Sequence, residues 1–142
     1  SRAEIEHSNT AKRLGISNEM SEKHLENMQR LIDNLIQPLR DSIGPIRISS
    51  GYRSPSLNRA IGGSSRSQHS KAEALDLQFW SEGKMNNKVI YDWILDSGLE
   101  FDQMINEFDF SWIHISLKKN SNRKQVLEAY KDKDGDTAYR LV

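Results

Sequence analysis

The segment Ser67-Gln68-His69-Ser70-Lys71-Ala72-Glu73-Ala74-Leu75-Asp76 places a histidine, His69, seven residues ahead of an aspartate, Asp76. Neither regular structure lets both side chains reach one ion. Seven residues separate the two backbones by ~10 Å in a helix and by ~23 Å in a strand. A shared metal therefore requires the chain to fold back between Ser70 and Glu73, after which Ala72 to Phe79 reads as a strand. Much later, Trp112-Ile113-His114-Ile115-Ser116 reads as a second strand with a second histidine. Two imidazoles, one carboxylate and no cysteine form the ligand set of a hydrolytic zinc site whose fourth position is kept for water.

Alternation places these groups. Leu75, Leu77 and Phe79 point one way, and Ala74, Asp76 and Gln78 the other. In the later strand Ile113, Ile115 and Leu117 take the core side and leave Trp112, His114 and Ser116 on the opposite face. Both strands thus direct their candidate ligands away from the apolar side.

Upstream, Ile46-Arg47-Ile48-Ser49-Ser50 alternates as a strand and runs into a loop, Gly51-Tyr52-Arg53-Ser54-Pro55. Ser56 to Ile61 reads as one or two helical turns stopped by Gly62-Gly63, and Ser64 to Ser67 as a small-residue loop delivering His69. The strongest helix is Ser21 to Leu39. Ser21 is a good N-cap, and Leu25, Met28, Leu31, Ile32, Leu35, Ile36 and Leu39 recur at three- and four-residue steps. Pro38 is expected to tighten or end it, before the break at Gly44-Pro45. Residues 1–18 read as a loosely packed arm, with a short turn capped from Asn9-Thr10 and closed by Gly15. His7 reads as a surface residue, and His24 as a partly exposed helix residue beside the apolar stripe.

Downstream, Asn86 to Leu95 is an amphipathic helix. Phe101 to Phe108 and Ser111 to Leu117 form a strand pair around Asp109-Phe110. Asp-Gly at 134–135, between apolar stretches, predicts a terminal hairpin. The aspartates at 132, 134 and 136 do not fit a calcium loop, because the glycine comes too early and no chain remains for a closing glutamate.

At 142 residues the chain is one domain, able to bury a core without staples, and it contains no cysteine. Twenty basic residues balance twenty acidic ones without clustering, which argues against nucleic-acid binding or electrostatic membrane attachment. No apolar run approaches the ~20 residues of a membrane span, and no signal peptide is visible. The Ser1-Arg2-Ala3 start looks like a trimmed boundary.

These motifs together resemble a family. Ser67-Gln68-His69 with Glu73-Ala74-Leu75-Asp76 resembles the S-x-H-x-x-G-x-A-x-D signature of the zinc D-Ala-D-Ala carboxypeptidases and L,D-endopeptidases, peptidase family M15. Ser50-Gly51-Tyr52-Arg53-Ser54-Pro55 resembles its S-G-Y-R loop, and Trp112-Ile113-His114 is similar to its W-x-H element. The short, phage-type members are the most similar, and the likeness runs from about Asn9 to the terminal hairpin.

The resemblance implies an α+β fold of the D-Ala-D-Ala carboxypeptidase and hedgehog type, a small antiparallel sheet flanked by helices. It implies a zinc ion on His69, Asp76 and His114, with Arg53 stabilising the oxyanion and Ser67 lining the cleft. Tyr52 either lines that cleft or braces its loop. Trp112 and Trp80 offer stacking surfaces, although tryptophan in a strand more often packs in a core.

Two departures stand out. The family glycine is Ala72 here, so a positive-φ turn at this position costs ~1 kcal/mol. Many members also carry the catalytic glutamate three residues before the last histidine, where this chain has Ser111. Glu107, Asp109 or no residue at all then serves as general base; Glu107 shares parity with Gln103 and Ile105 and would need twist or a bulge to reach the metal. The implied activity is hydrolysis of a peptidoglycan stem-peptide bond next to a D-amino acid, at the bacterial cell wall, by a phage- or bacterium-encoded monomer. The competing reading is a metal-binding module of a phage particle without turnover.

Overall fold

The computed structural model describes residues 1–64 and 67–142. Ser65 and Arg66, within the loop expected to deliver His69, lie outside the described residues. Short helices α1 (Arg2–Glu6) and α2 (Asn9–Leu14) open the chain. Their caps are Ser1 and Ser8, whose side chains accept from Glu4 N and Ala11 N, and Gly15 closes α2 in the left-handed region. Asn9 is thus the first residue of the helix, one position after its cap.

The arm is not loose. Ile5 and Ala11 are buried, and Tyr52 N donates to Ile5 O at 2.9 Å. A Cβ at Gly51 would overlap that same Ile5 carbonyl oxygen, so glycine is required where α1 meets the Gly51–Arg53 loop.

The long helix begins at Ser21 as the sequence predicts. Helix α3 (Glu22–Leu31) continues through a π-helical turn, Ile32–Ile36, into α4 (Gln37–Ile43). Proline offers no N–H to the ladder, and its ring crowds the preceding turn. The wider turn, in which Gln37 N reaches Ile32 O, accommodates it. Pro38 therefore widens the helix locally without ending it, and the break falls at Gly44. Met28, Leu31, Leu35, Ile36 and Leu39 are buried in the main core, with Leu25 and Ile32 packed at its margin.

Strand β1 (Arg47–Ser50) leads to α5 (Pro55–Ala60), a 3-10 turn (Gln68–Lys71) and β2 (Ala74–Gln78). A two-stranded ribbon, β3 (Trp80–Ser81) with β4 (Lys84–Met85), turns at Glu82-Gly83, both at positive φ. The alternation rule gave no signal for so short a pair. Helix α6 (Lys88–Ser97) precedes β5 (Gln103–Glu107), β6 (Trp112–Ser116), β7 (Gln125–Lys131) and β8 (Thr137–Leu141).

The main sheet has the order β1-β2-β6-β5-β7-β8. It departs from the expected antiparallel sheet at one place, because β5 and β7 are parallel. The crossover loop from β6 to β7 makes this possible. Buried Asp102 holds the loop through the backbone N and guanidinium of Arg123, at 2.8 to 3.1 Å, while Gln125 N donates to Asp102 O. The terminal hairpin forms as predicted, with the Asp132 carboxylate accepting from the N–H groups of Asp134 and Asp136.

The central strands β2, β5 and β6 turn mostly apolar side chains to one face, with Asn106 the polar exception. Leu75, Leu77, Met104, Ile113 and Ile115 are fully buried and share one core with α3, α4 and α6. The other face carries the polar residues of the same strands.

Candidate metal centre

His69 is positioned by a turn that its own neighbours build. The Ser67 side chain accepts from His69 N at 3.2 Å and caps the 3-10 turn. Ala72 ends it in the left-handed region at φ 57°, so the expected positive-φ turn is present with a methyl group on it. The chain folds back where the spacing requires. His69 is 3% exposed, and its Nδ1 lies 2.7 Å from Gly51 O. A carbonyl oxygen only accepts, so Nδ1 carries a proton and Nε2 faces the site, as an N–H donor when the ring is protonated and as a lone pair for a metal when it is neutral.

Asp76 and His114 are direct cross-strand partners on β2 and β6, on the face away from the core. Asp76 Oδ1 lies 3.1 Å from His114 Nδ1 and 3.3 Å from His69 Nε2. Two imidazole nitrogens do not rest this close to one carboxylate oxygen without positive charge between them, as protons or as a metal ion. Ligand atoms in a tetrahedral zinc site lie ~3.3 Å apart, given bonds of ~2.0–2.1 Å, so the observed spacing suits such an ion. The three ligand atoms lie within 4.8 Å of one another, and this is the one group of its kind among the described residues. Burial alone would raise the Asp76 carboxyl. The facing His69, and hydrogen bonds from both imidazoles, hold it well below the usual carboxylate range instead.

Glu107 joins this face by register. It pairs with Trp112, two positions from the Ile105–His114 pair, so β5 turns it toward the ligands without a bulge or added twist. The carboxyl is 8% exposed, and burial, reinforced by the Asp76 charge and opposed by His114, pushes its pKa up to about 7. Arg53 enters from the loop after β1. A register shift between Ile48 and Ser50 bends that strand end, and Arg53 N donates to His69 O at 3.2 Å. Its Nε is buried with no partner among the described residues. Burial lowers the guanidinium pKa, and Asp76 opposes that shift.

Arg53, Ser67, Glu107 and Trp112 line one 770 Å³ cavity together with the three ligands. Two sequence candidates are not brought there. Tyr52 is buried in the core against the His24 ring, where it braces the loop. Asp109 is exposed in a left-handed turn, Phe108 to Phe110, outside the cavity. Ser111 supports that turn: its N donates to Glu107 O and its Oγ to Phe108 O. Trp80 is exposed on the β3–β4 ribbon. His7 is exposed far from the ligands in sequence and lines a separate cavity.

The cavity also takes in Gln68, Lys118, Arg123, Leu127 and Tyr139, which local sequence patterns did not single out. Lys118 and Arg123 lie in the polar stretch between β6 and β7. Tyr139 reaches the cavity only because the parallel β5–β7 pair sets Ala129 beside Glu107 and Tyr139 beyond it.

A buried His-Asp-His group with a half-buried arginine and a carboxyl poised near neutrality is the equipment of a metal-dependent hydrolase. The Peptidase M15 family profile matches residues 1–116, and the chain belongs to this family of generally metal-dependent peptidases. The match stops ahead of the terminal hairpin to which the motif likeness extends. No curated protein matches the chain. Among the described residues, no helix is long and apolar enough to cross a membrane.

Proposed function

We propose that the protein is a zinc peptidase that hydrolyses a peptidoglycan stem-peptide bond next to a D-amino acid, acting as a monomer at the bacterial cell wall. The observation that carries this reading is Glu107 lining the same cavity as the three ligands, with its pKa near neutrality. His69, Asp76 and His114 would hold the ion, which when bound polarises the scissile carbonyl and acidifies a water molecule.

The remaining chemistry belongs to side chains. Glu107 accepts a proton from the attacking water as its oxygen bonds to the carbonyl carbon. The Arg53 guanidinium donates hydrogen bonds to the carbonyl oxygen as negative charge develops there. Glu107 then returns the proton to the amide nitrogen as the C–N bond breaks, leaving an amine and a carboxylic acid that gives up its own proton to solvent. A carboxyl near pKa 7 is suited to both directions of transfer. Ser67 and Trp112 line the path of the peptide.

The test is metal content of the purified protein, followed by peptide release from purified peptidoglycan with and without chelator. Glu107→Gln should keep the metal and lose ~10²- to 10⁴-fold in rate. Stoichiometric metal with no release from any stem peptide would leave the phage-particle binding module as the better reading.

A further inference from the structure

Four residues from four strands stand in one row across the sheet: Trp112 of β6, Glu107 of β5, Ala129 of β7 and Tyr139 of β8. Direct cross-strand partners share a face, so Tyr139 stands on the ligand side, although it lies beyond the residues that the family match covers. Adjacent strands lie ~4.8 Å apart, which puts the Tyr139 backbone ~10 Å from that of Glu107. The residue between them is Ala129, 1% exposed, and its small side chain leaves the space over β7 to the two larger ones. Both line the 770 Å³ cavity.

The hydroxyl of Tyr139 is uncommitted. The residue is 54% exposed, and its phenol oxygen has no hydrogen-bond partner among the described residues. Burial first, and then the charges of Glu107 and Asp76, raise its pKa, so the phenol stays protonated at neutral pH. A free donor thus faces a cavity in which the nearby carboxylates are ionised only as acceptors. The sheet order sets this donor opposite another. Arg53 enters from the loop after β1 and Tyr139 stands on β8, with Asp76, His114 and Glu107 on the strands between. An extended chain laid across this face meets a donor at each end.

We infer that Tyr139 is a substrate-contacting residue whose hydroxyl donates a hydrogen bond to a backbone carbonyl oxygen of the bound peptide, on the Glu107 side of the ligands. This rests on the peptidase reading and adds to it a contact made by the terminal hairpin. A peptide carbonyl complements a lone donor set among carboxylates, because it accepts and carries no net charge for them to repel. The contact does not touch the reacting atoms. It is therefore equally strong in the ground and transition states, and acts on KM and not on kcat.

The test is Tyr139→Phe, which removes the hydroxyl, keeps the ring and folds at a half-exposed position. Calorimetry with a synthetic stem peptide on chelator-treated protein reads binding without turnover; release by zinc-loaded protein is measured separately. Tyr139→Phe should weaken binding about three- to tenfold and raise KM in proportion, with kcat within about twofold. Tyr130→Phe, next to Ala129 on β7 and outside the cavity, is the control and should change neither. An unchanged Kd in Tyr139→Phe, no peptide binding by the parent, or a fall in kcat at constant Kd would each overturn the contact. Equal weakening by Tyr130→Phe would do so too. Weakened binding in a protein that cleaves no stem peptide defeats the peptidase reading and keeps the contact; cleavage that Tyr139→Phe leaves unchanged does the reverse.

Discussion

Ala72 shows how an alanine can hold a left-handed turn at a position where glycine would carry no strain. A left-handed alanine carries ~1–2 kcal/mol of strain. Replacing it with glycine would relieve that strain, but at the cost of ~0.4–1 kcal/mol of chain entropy and of one buried methyl group, ~0.8 kcal/mol. Ala72→Gly should therefore change stability by less than about 1 kcal/mol, whereas Ala72→Val, branched at a fully buried positive-φ site, should lose more than about 2 kcal/mol. Urea denaturation of both variants checks this. Glu107 offers a second residue-level prediction. Its folded pKa of about 7 exceeds the unfolded value, so the stability tied to its neutral form is complete below about pH 4.5 and lost as pH rises through 7. Chelated Glu107→Gln should be more stable than the parent at pH 8, by at most about 3 kcal/mol, with the gap closing toward pH 4. Should the gap instead widen on acidification, the carboxyl is not buried as described. Because a nearby dication pulls the carboxylate down, the acid limb of activity should have its midpoint at or below about 7.

At the scale of elements, alternation in β2 and β6 was enough to place Asp76 and His114 on one face, because Leu75, Leu77, Ile113 and Ile115 alternate with them without interruption. The same rule applied to β5 held Glu107 correctly in line with Gln103 and Ile105. It lacked only the register that turns this row toward His114, a property of the pairing and not of either strand. The parallel β7 was invisible for a related reason: period two is the same for both directions, and direction here depends on Asp102 holding a loop some twenty residues away. The turn from Phe108 to Phe110 gave no glycine signal either. Three consecutive left-handed non-glycine residues persist there because buried Asn106 and Asn87 bond Phe110 N and O, at 2.6 and 2.7 Å. The arm was misread since one buried isoleucine in a polar stretch leaves no periodic trace. Its docking predicts that Gly51→Ala, whose methyl would strike Ile5 O, loses about 1–3 kcal/mol. Limited proteolysis should then cut within residues 1–20 before the rest of the chain; retained protection would refute the packing described.

For the molecule as a whole, the three candidate ligands come from a turn, β2 and β6, so occupation of the site by a metal should report on the entire fold. A ligand bound only to the folded state stabilises it by ~4 kcal/mol at a thousand times its Kd. Zinc should accordingly raise Tm in a concentration-dependent way, and His114→Ala should abolish the rise while folding normally without metal. A His114→Ala protein that still responds would remove this residue from the ligand set.

The contact between α1 and the Gly51–Arg53 loop links distant parts of the chain through backbone atoms, with the Asn18 side chain donating to both Glu6 O and Tyr52 O beside it. Ile5 O holds Tyr52 N, and the adjacent Gly51 O holds the His69 imidazole. Thermodynamic linkage would make such a relay reciprocal: whatever unseats the first helix would also slacken the hold on a cation bound at His69, and binding that cation would in turn clamp the helix. Resistance to a competing chelator would then serve as a gauge of how firmly the amino-terminal segment is seated.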